Sequence, residues 1–142
     1  MTILDRTTGA ITPEVGRVLD GPGILEGQKL VREAVVAPHV KEYAARLVMA
    51  THPGGQYGID AATKYIRCGS SPRGAQALIL GAKVKALIEG RYHVGFKDVQ
   101  AIAMPVLRHR LLLNFEAEAD RVDADTIVKK ILAEVRTEAV KA

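Results

Sequence analysis

The feature that most constrains the fold is the uninterrupted, largely apolar segment from Ser71 to Glu89. Ser71 suits a helix N-cap, and Pro72 suits the first helical position, where its missing N–H costs nothing. The segment predicts a helix running to about Glu89 and ended by Gly90. Because it is apolar on much of its circumference, we expect it to be the central helix of a bundle. Its apolar residues include Ala75, Leu78, Ile79, Ala82, Leu87 and Ile88.

Gly81 lies inside this predicted helix. Glycine in a helix interior costs about 1 kcal/mol relative to alanine. We therefore expect a neighbouring helix to approach closely at Gly81.

Helical periodicity recurs elsewhere in the chain. Asp60 is expected to cap a short helix, Gly95 another, and Asp123 or Asp125 the last. Pro105 is expected to kink the helix after Gly95 or to end its first half, while residues 110–115 could be extended or helical. The predicted fold class is all-α, a bundle of five or six helices with no convincing sheet and room for one short extended segment. One apolar face consists of Val40, Tyr43, Ala44, Leu47 and Val48, and another of Ile127, Val128, Ile131, Leu132 and Val135.

The first 36 residues are the least regular part, and we interpret residues 1–36 as a linker segment with short helices and residues 37–142 as a helical domain. Thr12, Pro13 and Glu14 predict the start of a short helix that ends near Asp20. Residues 20–23, DGPG, predict a turn. Residues 24–36 predict a helix with an extended end before Pro38.

Composition excludes several classes of protein. A chain of 142 residues with 4% aromatic residues and no Trp suits a core of aliphatic side chains in packed helices. The net charge of +4 is too modest to indicate nucleic acid by itself. Cys68 is the only cysteine, so an intramolecular disulfide is impossible. No signal segment or membrane span is evident, and a reducing cytoplasmic location is expected.

The sequence offers little catalytic chemistry of its own. Residues 90–97, GRYHVGFK, lack the lysine directly after the second glycine that a phosphate loop needs. The four histidines His39, His52, His93 and His109 are scattered, so no metal site and no catalytic residue is predicted. Cys68 is interpreted as an incidental thiol, and Arg108–Arg110 as a solvated helix end.

Arg73 is the residue with two open interpretations. A cation in the first turn of a helix opposes the helix dipole, unless an anion visits the site. The residues alone favour a solvated surface arginine, with an anion-sensing arginine as the alternative.

Several motifs together resemble the C-terminal lid of MoxR-type AAA+ ATPases. They are ATHP at 50–53, GSSPRGAQAL at 69–78, ALIEGRYHV at 86–94, DV at 98–99 and VLRHRL at 106–111. The resemblance covers roughly residues 24–136, with the motifs in family order, and RTTG at 6–9 is similar to the segment that leads into that lid.

The resemblance implies that this chain functions only together with an α/β core. Such a core would carry Walker A and B motifs and bind ATP and Mg²⁺, and the lid would close over the nucleotide. Arg73 matches the sensor 2 arginine that approaches the γ-phosphate, with Ser71 and Pro72 fixing where its helix starts. Without the core, ATP hydrolysis by this chain is not expected, no bound cofactor is expected, and residues 1–36 are expected to be mobile.

The resemblance also implies partners. These are the P-loop core of the same protein, neighbouring subunits of a ring, and a von Willebrand A-domain protein, in chaperone-like maturation of client proteins. Neither membrane nor nucleic acid is an expected partner. The alternative function is a free-standing helical module that binds protein or nucleic acid, motivated by the pI of about 9.3 and the missing core.

Overall fold

The structure is a computed structural model that describes residues 2–9 and 16–137. These residues form eight α-helices, one 3₁₀ helix and four short strands. The chain order is α1 (Thr2–Thr8), α2 (Gly21–Glu33), β1 (Val35–Val36), α3 (Pro38–Met49), α4 (Asp60–Tyr65), β2 (Ile66–Cys68), α5 (Pro72–Ile88), β3 (His93–Val94), α6 (Phe96–Leu107), the 3₁₀ helix (Arg108–Arg110), β4 (Leu112–Leu113), α7 (Phe115–Ala119) and α8 (Ala124–Glu134). The all-α class is confirmed, and the helices exceed five or six because α1 and α7 are single short pieces.

Helix α5 is the centre of the bundle, as its sequence predicts. It packs against α2, α3 and α6, and α6 packs in turn against α8. The core is aliphatic apart from Tyr43, whose hydroxyl accepts a hydrogen bond from Gln100. Its fully buried large side chains are Val40, Tyr43, Leu47, Leu78, Val99, Leu107, Ile127, Val128 and Ile131.

Part of the apolar surface of α5 nevertheless remains exposed. Gly74, Leu78, Ala82 and Ala86 form its buried stripe. On the opposite side Leu80, Val84 and Ile88 are exposed, Ile88 to 81%. The apolar residues of α5 are therefore buried on one face and exposed on another.

The close approach predicted at Gly81 is confirmed. A Cβ built on Gly81 would lie 2.6 Å from Ile102 Cγ2 of α6. The missing side chain thus lets α6 pack tightly against the central helix.

The start of α2 corrects one prediction. Residues 20–23 were expected to form a turn, but Asp20 is the N-cap of α2 and its Oδ1 accepts a hydrogen bond from Gly23 N at 2.9 Å. Pro22 is tolerated because a first-turn N–H has no intrahelical partner. No residue of α2 is buried, and Lys83 Nζ donates to Arg32 O at 2.8 Å. The extended end before Pro38 is confirmed as β1.

Two small sheets of two- and three-residue strands accompany the helices, where the sequence left room for one short extended segment. β1 pairs with β3 in parallel, and β2 pairs with β4 in antiparallel. Each pairing joins segments more than forty residues apart, so no local hairpin pattern in the sequence predicts it. The pairing of β4 also settles the ambiguity of residues 110–115: Arg110 ends the 3₁₀ helix, residues 111–114 are extended, and α7 begins at Phe115.

Two helix boundaries differ from the local prediction, and one of the two caps predicted for the last helix is confirmed. Asp60 is the first residue of α4 rather than its cap, since Ile59 holds the N-cap position without a side-chain hydrogen bond. Helix α6 does not end at Pro105 but continues to Leu107. Pro105 lies near the end of that helix, so it removes a single late hydrogen bond. Asp123 caps α8, and its Oδ1 accepts from Thr126 N at 2.8 Å.

The helix predicted to run from residues 12–14 to near Asp20 starts outside the described residues, but residues 16–20 are described and are not helical, so its second half is wrong. The division into a linker segment and a helical domain at residue 36 stays a prediction. No helix in the described part of the chain combines the length and apolarity needed to cross a membrane.

Candidate functional site

The start of α5 has the backbone that the sequence predicts but lacks a side-chain cap. Ser71 is the N-cap residue and Pro72 the first helical residue, yet the Ser71 hydroxyl makes no capping hydrogen bond. Gly74 N donates to Ser71 O at 2.8 Å. Because no side chain neutralises the first turn, the positive end of the helix dipole stays open to an anion.

Arg73 extends from this open end into solvent. It is the second residue of α5, it is exposed, and its guanidinium makes no hydrogen bond or ion pair within the described residues. The segment 66–74 contains Arg67 as a second cation and no acidic residue. Arg73 therefore has five unused donors above a helix N-terminus, an arrangement that suits a phosphate group.

The segment before the helix is tied to the end of α3. Ser70 N donates to Thr51 Oγ1 at 2.9 Å, and the Thr51 hydroxyl donates to Val48 O at 2.6 Å. Both Ser70 and Thr51 are fully buried. This buried pair fixes where α5 starts relative to α3, and with it the position of the Arg73 backbone.

Two glycines make that close fit possible. A Cβ on Gly69 would lie 2.6 Å from Thr51 O, and a Cβ on Gly74 would overlap the Ser70 hydroxyl. The sequence points to Ser71, Pro72 and Arg73 but does not identify Thr51 or Ser70 as supports. Their contact spans 19 residues, so neither capping pattern nor helical periodicity reveals it.

The start of α6 carries a second polar cluster that the sequence did not indicate. Asp98 is buried, its Oδ2 accepts from Gly95 N at 2.8 Å, and Arg91 donates to both of its carboxylate oxygens. The pKa of Asp98 lies below its ordinary value because the Arg91 guanidinium and the Gly95 N–H stabilise the ionised form. Arg91 also pairs with Glu89. This cluster is internally neutralised and offers no free group for a ligand.

The remaining candidate residues are not brought together. His39 lies against the Phe96 ring, the His52 and His109 rings each contact a backbone carbonyl four residues earlier, and His93 lies in β3. Among residues 2–9 and 16–137, no three His, Cys, Asp or Glu side chains are grouped as a metal site would require.

The thiol and the basic helix end also have ordinary surroundings. Cys68 is exposed, and its Sγ contacts Gly69 O at 3.7 Å. Arg108, expected to be solvated, forms an exposed ion pair with Asp125 at 2.8 Å. Of the candidates, and within the part of the chain that the structure describes, only the start of α5 combines an unneutralised helix end with an unpaired cation on a rigid support.

This central helix, its buried support and the bundle around it define a lid of the AAA type, and the chain belongs to the AAA lid domain family. The model of that family, described as AAA lid domain, matches residues 60–131, about half of the chain. The resemblance to MoxR-type lids is confirmed, since the chain is homologous to MoxR chaperones.

Two of the relatives illustrate that homology. The chain is 30% identical to Chaperone MoxR1 of Mycobacterium tuberculosis over 134 residues, covering 94% of this chain and 36% of the relative. It is 47% identical to Protein MoxR of Paracoccus denitrificans over 57 residues, covering 40% of this chain and 16% of the relative.

A solved structure has the same fold. It is a crystal structure of a protein assigned as an ATPase, from Cytophaga hutchinsonii, with a TM-score of 0.84 and 29% identity. The match covers 95% of this chain and 41% of that one. The chain thus spans about a third of the length of MoxR1 and about two fifths of that ATPase.

Proposed function

We propose that this chain is the nucleotide-sensing lid of a MoxR-type AAA+ ATPase and that Arg73 is its sensor 2 residue. In this proposal the lid closes over ATP and Mg²⁺ bound by a P-loop core of the same protein. The observation that carries the proposal is the exposed, unpaired Arg73 at an uncapped helix N-terminus in a lid-family fold.

The residues present fit a phosphate group. The Arg73 guanidinium can donate two parallel hydrogen bonds to phosphate oxygens, and the open first turn of α5 adds the favourable end of the helix dipole. Segment 66–74 contains no acidic residue that would repel an anion. The bound nucleotide would supply the γ-phosphate charge that distinguishes ATP from ADP.

The rigid support of α5 would couple the contact between Arg73 and phosphate to the orientation of the whole lid. Because Thr51 and Ser70 lock the helix start onto α3, and α5 packs on α2, α3 and α6, a pull on Arg73 moves the bundle rather than a single side chain. Loss of the γ-phosphate would release Arg73 and favour a different lid orientation. This motion is the proposed link between hydrolysis and work on a partner.

The test requires the complete protein in which this lid is joined to its P-loop core. Arg73→Ala should lower the ATP turnover number by about tenfold to a hundredfold, because one preorganised charge-stabilising group is lost. Arg73→Lys should recover part of the loss, since lysine keeps the charge but not the paired donors.

The matched control is Lys97→Ala. Lys97 is also an exposed cation at the second position of a helix, α6, but that helix start is already neutralised by Asp98. Turnover should be unchanged in this variant. Unchanged turnover in Arg73→Ala would disprove the sensor role, and an upstream reading frame without a Walker A loop would disprove the whole proposal for this chain.

The cellular role in this proposal is chaperone-like remodelling of client proteins in the cytoplasm by a ring of such ATPases. The name of the MoxR1 relative, a chaperone, supports it. A von Willebrand A-domain protein is the partner proposed from the family. Co-purification of such a partner that depends on ATP, and that weakens in Arg73→Ala, would support the role, whereas nucleotide-independent behaviour would contradict it.

A further inference from the structure

A second arginine without a partner ends the 3₁₀ helix. Arg110 is half-buried, its Nε is enclosed by the protein, and its guanidinium makes no hydrogen bond or ion pair within the described residues. Because only Nε is enclosed, the two terminal nitrogens reach the surface. A buried donor without an acceptor lowers the stability of the fold, so the presence of an arginine here requires another reason.

The neighbouring arginine of the same 3₁₀ helix has the carboxylate that Arg110 lacks. Arg108 Nη2 donates to Asp125 Oδ2 at 2.8 Å. Residues 99–115 contain no acidic residue, so no carboxylate close in sequence is available to Arg110. Within one short helix, therefore, one arginine is neutralised by the fold and the other keeps its charge for a ligand.

The sheet of β2 and β4 brings Arg110 to the start of α5. Cys68 pairs with Leu112 in this antiparallel sheet. From that pair, one chain runs forward to Ser70 and into α5, while the other runs backward through one extended residue to Arg110. Both chains therefore leave the sheet at the same end. Neighbouring strands lie about 5 Å apart, so the Arg110 and Arg73 side chains can reach one extended ligand.

We propose that Arg110 is a second phosphate-contacting residue of the nucleotide site, acting beside Arg73. This inference rests on the proposed function and adds a residue from a different element of the lid. Its ligand is the phosphate chain of a nucleoside triphosphate, which presents several charged oxygens in a row. The terminal nitrogens of Arg110 donate to one phosphate while Arg73 contacts the γ-phosphate.

The surroundings of the two arginines suit an anion. Residues 66–88 and 99–115, which include both arginines, contain no acidic residue. Because the stem of Arg110 is packed against the protein, its guanidinium loses little side-chain entropy when a ligand binds. The enclosed Nε is thus the consequence of holding the terminal nitrogens in place for a ligand.

The affinity for ATP tests the proposal in the complete protein, where this lid is joined to its P-loop core. Arg110→Met removes the charge but keeps most of the buried stem. It should weaken the binding of a non-hydrolysable ATP analogue about tenfold, the effect of losing one charged hydrogen-bond donor. ADP, measured in parallel, assigns the contact: a loss with the ATP analogue alone indicates the γ-phosphate, and a loss with both nucleotides indicates an inner phosphate.

Arg108→Met is the matched control, because it removes the same charge from the same 3₁₀ helix at a residue that Asp125 already neutralises. Its nucleotide affinity should equal that of the wild type. Urea denaturation of the 142-residue chain then separates a ligand contact from a structural role. Since Arg110 has no partner to lose, Arg110→Met should leave the urea midpoint unchanged or raise it.

Unchanged nucleotide affinity in Arg110→Met, or a loss no larger than that in Arg108→Met, would overturn the proposal. A lowered urea midpoint would also overturn it, because Arg110 would then serve the fold. These results are separate from the sensor role, which fails when Arg73→Ala leaves ATP turnover unchanged. Arg110→Met can keep full nucleotide affinity while Arg73→Ala still lowers turnover, and the two failures are therefore distinguishable.

Discussion

Helices α5 and α6 both carry a cation at the second position, Arg73 in one and Lys97 in the other. The start of α6 is neutralised from within, because buried Asp98 accepts from Gly95 N and is paired with Arg91. The start of α5 has no such acid, and its N-cap residue Ser71 makes no capping hydrogen bond. One helix start is thus built for stability, whereas the other keeps its positive potential available. The same bundle shows what a purely structural helix start looks like and how the candidate sensor departs from it.

Of the substitutions that test this comparison, removal of Asp98 from the start of α6 should lower the free energy of unfolding most. Asp98→Ala deletes a buried carboxylate that satisfies Gly95 N and Arg91, so we expect a loss of about 2 to 4 kcal/mol in the free energy of unfolding. Urea denaturation of the 142-residue chain measures it. A loss below that of an exposed surface substitution would show that α6 does not depend on its internal acid.

The effect of Asp98 should depend on pH in one direction. Its pKa is lower in the folded state than in the unfolded state, so the stabilisation is present at neutral pH and is lost as pH falls below about 4 and through the folded pKa. The difference in unfolding free energy between the wild type and Asp98→Asn should shrink over that acid range. A difference that stays constant down to pH 2 would contradict the carboxylate's role.

Breaking the support of α5 should have the next largest effect. Thr51→Val keeps the shape but removes the acceptor for Ser70 N, which leaves a buried donor unsatisfied at a cost of about 1 to 3 kcal/mol. Thr63→Val is the control, because the Thr63 hydroxyl accepts from Gly54 N in an exposed position where water can replace it. Equal losses of unfolding free energy in the two variants would mean that the buried Thr51–Ser70 contact stabilises the chain no more than an exposed hydrogen bond does.

Particular residues show how far the sequence could predict this molecule. Periodicity predicted α3, α5, α6 and α8 because their apolar faces repeat locally, and the Ser-Pro pair predicted where α5 begins. The paired strands, the Thr51–Ser70 contact and the Arg91–Asp98 pair were not predicted, because each depends on a tertiary contact that local patterns do not encode. Residues 20–23 were misjudged because a Pro/Gly pair suits the first turn of a helix as well as a turn. Arg73 was singled out as a candidate from the sequence, and its lack of a partner among the described residues is visible only in three dimensions.

Reversing the charge of the candidate sensor should produce a smaller change, and in the stabilising direction. Arg73→Glu places an acid in the first turn of α5, which should raise the unfolding free energy of the isolated chain by about 0.3 to 1 kcal/mol at low salt. The gain should diminish as salt screens it. A destabilised Arg73→Glu chain would indicate that Arg73 makes a structural contact, and its description as a residue free for a ligand would then be wrong.

The smallest change in the free energy of unfolding should come from Ser71, which the sequence predicts to cap α5. Ser71→Ala removes a hydroxyl that makes no capping hydrogen bond, so the unfolding free energy should change by less than about 0.5 kcal/mol, below the usual cost of losing a serine cap. Asp123→Ala is the matched comparison, because Asp123 does cap α8 through Thr126 N, and it should destabilise the chain clearly more. If the two variants were equally destabilised, Ser71 would cap α5 in solution. The helix start would then be neutralised as at α6, and the contrast that singles out Arg73 would rest on its exposure alone.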